Sequence, residues 1–117
     1  MTAPAKPRAL RRGYIYLAHL DKLGPVLVIS PNVRNELAND VLVVPCSTNL
    51  STAPTHVRLR RGEGGLPEAS VLKCEQITTL HKDDVRAQAL GGPVPATKVL
   101  EVERAILRAI GVPVPLE

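Results

Sequence analysis

Between Gly13 and Leu80, apolar side chains recur in short runs with a two-residue period; after Pro95 the period becomes three and four. That change confines the chain to a β-rich body followed by one helix. A two-residue repeat lines one face of a strand, whereas a 3.6-residue repeat lines one face of a helix. In the first run Tyr14 and Tyr16 share a face, with Ile15 and Leu17 on the other. Pro25 opens Val26-Leu27-Val28-Ile29, an unbroken apolar run of the kind covered on both faces. Residues 32 to 40 read as a polar excursion. Val41 to Ser47 is a third strand, and its Pro45 cannot donate to a ladder, which places that end at an edge or a bulge. His56 to Arg60 alternates again, and Ser70 to Leu80 reads as one longer strand. Residues 82 to 90 read as a short helical piece. Val99, Val102, Ile106 and Ile110, widened by Leu100 and Leu107, then mark a helix with Pro95 at its first turn and Gly111 as its stop. The expectation is a mainly β fold with α: a small, strongly bent antiparallel barrel of five strands carrying a C-terminal helix.

Composition narrows the function. The 117 residues include two Tyr but no Phe or Trp, so the core must be built from Val, Leu, Ile and Ala. A single-stranded nucleic acid cannot then be gripped by a platform of stacked aromatics. The net charge of +4 favours an anionic partner, and the excess is uneven. Lys6, Arg8, Arg11 and Arg12 fall in a proline-containing stretch, residues 1 to 11 and its junction, that reads as a mobile tail ahead of a single domain from 12 to 117. Arg58, Arg60 and Arg61 form a second knot. Cys46 and Cys74 lack CxxC spacing, and no His flanks them at zinc-like intervals, so they read as reduced core residues rather than metal ligands. No signal-peptide core or long apolar run is present, which predicts a soluble cytoplasmic protein.

Four blocks carry a further resemblance when taken in order: RRGYIYLAHLD, GPVLVISPN, VLVVPCSTNLSTAPTHVRL and GLPEASVLKCEQITTLHKDDV, followed by the helix. Together, from about residue 12 to 111, they resemble the MazF/PemK toxins. The resemblance implies an SH3-like barrel, a homodimer, and the toxic half of a type II toxin–antitoxin pair. It also implies a metal- and cofactor-free endoribonuclease that cuts single-stranded RNA by attack of a ribose 2′-hydroxyl on the adjacent phosphate. Such a route needs a cation for the developing charge, a base for the 2′-proton and an acid for the leaving 5′-oxygen.

The same resemblance assigns residues. Ser47 falls where the family has a catalytic Thr or Ser, with Thr48 beside it, and Gln76 where the family has a base-contacting amide. The family's Arg before the PVLVI strand is Gly24 here, and the loop before it has shrunk to Asp21-Lys22-Leu23-Gly24. A second family Arg, in the stretch resembling EQIRT, is Thr78. Lys22 is the nearest replacement cation in the chain, while Arg34, His56 and Arg58 are expected from neighbouring elements as RNA-binding groups. His56 is also a candidate proton carrier.

Two functions remain open. One is a ribonuclease toxin slowed by the missing Arg. The other is a catalytically impaired relative that keeps dimerisation, capture of an antitoxin through its acidic tail, and operator DNA binding in the toxin–antitoxin complex.

Overall fold

In a computed structural model, residues 9–115 are described. Their strands are β1 (Ile15–His19), β2 (Leu23–Val28), β3 (Asp40–Ser47), β4 (His56–Leu59), β5 (Ser70–Lys73), β6 (Thr78–His81) and β7 (Val85–Ala89); the helices are α1 (Asn32–Leu37) and α2 (Ala96–Ala109). All pairings are antiparallel, in the order β4-β5-β3-β2-β1-β7, with β6 alongside β3. The sheet is bent but is not a closed barrel, and it has seven strands rather than five.

The difference lies in the C-terminal half of the sheet. The expected long strand from Ser70 breaks at a 3-10 turn, Cys74–Gln76, into β5 and β6. The expected helix over 82–90 is a single 3-10 turn, Lys82–Asp84, followed by β7. β7 buries only Val85 and exposes Arg86, Ala87 and Gln88, so it shows no alternation to read. The polar excursion holds α1, six residues long, which exposes Val33 and Leu37.

Each face of the sheet has its own apolar cluster. Ile15, Leu27, Val44, Leu72 and Leu59 pack with Val102 and Ala105 of α2. Tyr16, Ala18, Val26, Val28, Val41, Val43 and Val85 pack on the other side. Odd and even residues of β1, β2 and β3 thus go to opposite clusters, and β2 is covered on both faces. In α2 the packed stripe is Val99, Val102, Ala105 and Ile106, whereas Leu100, Leu107 and Ile110 are exposed. The tail is docked by its C-terminal end: Leu10 is 1% exposed in the second cluster, and the Arg11 N–H donates to the Tyr16 hydroxyl at 2.9 Å. Lys6 and Arg8 lie outside the described residues.

Pro45 has a specific place. β3 is paired with β6 over residues 40 to 43 and with β5 only from Cys46, so Pro45 sits where the strand exchanges partners. A residue with no N–H to donate loses least at such a gap. The exchange turns the end of β3, with β5 and β4, into the second wing of the sheet.

Candidate functional site

Strand register builds the site. Ser47 opposes Val71 on β5, and Val71 opposes Arg58 on β4, so the three form one row across the second wing. Residues directly opposed in antiparallel strands project to the same face. Ser47 and Arg58 therefore share a face, two strand spacings or about 10 Å apart. Lys73 lies two residues from Val71 and belongs to that face too, opposite His56. Cys46, one step before Ser47, packs with the α2-side cluster.

Ser47, Lys22 and Gln76 line one hollow of about 220 Å³, together with Asp21, Gly24, Pro25, Pro45 and Lys73. Thr48 joins Ser47 and Lys22 on an adjoining hollow. A Cβ built on Gly24 meets no atom within 4 Å, so the position facing Ser47 holds open space rather than a side chain. The Ser47 Oγ accepts the Asn49 N–H at 3.1 Å, which leaves its own proton for an incoming acceptor. Neither tyrosine lines the hollow: Tyr16 is buried and Tyr14 packs beside it.

Three expected site residues line neither Ser47 hollow, and two of them, His56 and Arg58, line a separate one beside Lys98, Glu101 and Arg108 of α2. Arg34 is on α1, paired with Asp40 at the far end of β3. Asp40 and Ser47 are the two ends of this eight-residue strand, roughly 23 Å apart at about 3.3 Å per step. His56 is not an exposed lone imidazole; its side chain is 11% exposed, with Nε2 3.0 Å from the Glu75 carboxylate and Nδ1 3.2 Å from the Ser51 carbonyl oxygen. Burial tends to raise the Glu75 carboxyl, but hydrogen bonds from His56, its own backbone and Thr55, with the charge of His56, hold it below its ordinary value. Both thiols are pushed up to about 12, Cys46 by burial and then Cys74, and Cys74 by burial and then Glu75, so both stay protonated at neutral pH.

Lys73 and Asp21 were missed by sequence reasoning. Lys73 was legible in principle, because it keeps the two-residue spacing from Val71. Asp21 carries no such signal; only the closure of the β1–β2 corner brings it to the hollow.

Residues 11–110 match the family model described as PemK-like, MazF-like toxin of type II toxin–antitoxin systems. The chain belongs to that family. It is 29% identical over 112 residues to the endoribonuclease MazF of Staphylococcus epidermidis, covering 87% of this chain and 92% of the relative. It is 32% identical over 105 residues to the endoribonuclease MazF1 of Mycobacterium bovis, covering 89% and 95%. Among solved structures, a mycobacterial endoribonuclease in complex with its cognate antitoxin superposes with a TM-score of 0.79 at 30% identity, covering 92% of this chain and all of that one. For this MazF-like chain, no helix among the described residues is long and apolar enough to cross a membrane.

Proposed function

We propose that this MazF-like toxin is a slow, metal-free endoribonuclease acting on single-stranded RNA in the cytoplasm. The observation that carries the reading is the meeting of Ser47, Lys22, Lys73 and Gln76 around one hollow, in a chain whose named relatives are endoribonucleases. Ser47 donates a hydrogen bond to a phosphate oxygen. Lys22 and Lys73 supply the positive charge that Gly24 does not, and the Asp21 carboxylate accepts the 2′-proton. The 2′-oxygen forms its bond to phosphorus as the bond to the 5′-oxygen breaks. The 5′-oxygen leaves as a hydroxyl after taking a proton from water or a lysine, and a cyclic phosphate remains. Gln76 reads a base edge, and Thr48 and Arg58 hold flanking RNA.

Two flexible ammonium groups match a phosphate less well than one planar guanidinium, so this reading expects a low rate. The partners in this reading are RNA, an antitoxin with an acidic tail, a second copy of the chain, and operator DNA when the antitoxin is bound. Exposed Leu100, Leu107 and Ile110 on α2 support the homodimer.

The test is incubation of the purified protein with a long RNA in EDTA. Cleavage leaving 5′-hydroxyl ends, lost in Ser47→Ala, supports the reading. RNA left intact favours the impaired binding module, the reading that Gly24 and the short corner support.

A further inference from the structure

We propose that His56 and Glu75 form a clasp holding the two halves of the site in register, so that His56 is a positioning residue acting through Ser47 and Gln76. The proposal rests on the ribonuclease reading above. Ser47 ends β3 and leads into the loop of residues 48 to 55, while Gln76 ends the 3-10 turn after β5. The β3–β5 ladder runs only through Cys46 and Ser47, so neither the loop nor the turn is held by it.

A chain of hydrogen bonds crosses that gap. The Asn49 N–H donates to Ser47 Oγ at 3.1 Å, and the Ser51 N–H donates to the Asn49 oxygen at 2.9 Å. The Ser51 carbonyl oxygen and hydroxyl lie 3.2 and 3.5 Å from His56 Nδ1. On its other side, His56 Nε2 is 3.0 Å from Glu75, whose second oxygen accepts from the Thr55 hydroxyl at 3.0 Å. The Cys74 N–H donates to the Thr55 oxygen at 3.0 Å, and Gln76 follows Glu75 directly. The His56 side chain joins the loop at Ser51 to the turn at Glu75, beside the direct contact of Thr55 with Glu75. Both its nitrogens are engaged there, and neither His56 nor Glu75 lines the Ser47 hollow. An imidazole so held has no free nitrogen to carry a proton to RNA. Its contribution is geometric, and geometry at this scale is worth a great deal, since a misplacement of about 1 Å costs on the order of 100-fold in rate.

The discriminating variant is His56→Gln, whose amide nitrogen carries two N–H donors for the Ser51 and Glu75 oxygens but cannot relay a proton near neutral pH. RNA cleavage in EDTA and amide hydrogen exchange over residues 49 to 56 are measured for the parent, His56→Gln, His56→Ala, Glu75→Ala and the double alanine variant. The clasp requires that each single alanine variant lose on the order of 10–100-fold in kcat. Exchange at Asn49, Ser51 and His56 should speed up in both, the double variant should be no worse than either single one, and His56→Gln should stay close to the parent. If His56→Gln is as damaged as His56→Ala while loop protection is intact, His56 is a proton carrier and the proposal falls. Unchanged exchange in His56→Ala also overturns it. A parent that cuts no RNA fails the ribonuclease reading alone, because the exchange measurement still decides whether the clasp exists.

Discussion

The two ends of β3 treat charge in opposite ways. At the Asp40 end, Arg34 is neutralised by Asp40, and the chain beyond is tied down by β6 and by the Lys82 N–H bonded to the Asn39 oxygen at 2.9 Å. At the Ser47 end, Lys22, Lys73 and Arg58 have no carboxylate or hydrogen-bond partner among the described residues. A paired cation closes a structure, whereas an unpaired one beside an open hollow is available to an anion. A net charge of +4 alone does not distinguish these cases; what matters is which arginines and lysines the fold leaves without a carboxylate.

The largest effect that can break this contrast is catalytic. Removing Lys22 and Lys73 together by alanine substitution should lower RNA cleavage on the order of 10²–10³-fold, as expected for losing the charge opposite a developing oxyanion. Each single variant should lose less, because the other ammonium remains. Arg34→Ala should leave cleavage unchanged and lower stability by at most about 1 kcal/mol, since that pair is some 40% exposed on both sides. Equal losses from Arg34→Ala and from the double lysine variant would erase the distinction between the two ends.

The same contrast explains what was legible in the sequence. Strands β1 and β4 announce themselves by alternation, β2 and β3 by unbroken apolar runs and α2 by helical spacing, whereas the meeting of Lys22 with Ser47 comes only from the pairing of β2 with β3. The break at Cys74–Gln76 was hidden because β5 and β6 flank it with continuous strand-like composition. The strand character of β7 comes from pairing with β1 rather than from its own side chains. The burial of His56 depends on Glu75, nineteen residues away, and the remoteness of Arg34 on Asp40. Pairwise charge choices across the fold leave no periodic trace.

An intermediate effect concerns recognition. Arg58 shares the face of Ser47 and is exposed, so it should bind a phosphate flanking the scissile one. In Arg58→Ala, RNA binding by an uncleavable oligonucleotide carrying deoxyribose at the cut site should weaken at every sequence tested. The slope of log affinity against log salt should fall by about 0.7, one phosphate contact on a single strand. Arg58→Glu should weaken binding further. An unchanged slope would place the RNA off this face and restrict the free cations that matter to Lys22 and Lys73.

The smallest effect is on stability, through the charge of Glu75, and it asks whether the Ser47 end holds one charge pair of its own. Hydrogen bonds and the charge of His56 keep this carboxyl below its ordinary value of 4.5, so the folded state holds the carboxylate to lower pH than the unfolded chain does. The stabilisation is therefore fully present above pH 4.5 and is shed as pH falls through the lowered value. The Glu75 side chain is 39% exposed, so solvent screens the pair and the effect is modest. Urea unfolding of the parent and of Glu75→Gln across this range should give a stability difference that shrinks below about pH 4.5, because the parent then loses a charge the variant never had. A difference that grows on acidification would mean that burial dominates and that the carboxylate is a cost to the fold. His56 and Glu75 would then be joined by a neutral hydrogen bond, and the Ser47 end of β3 would contain no stabilising ion pair to set beside Arg34 and Asp40.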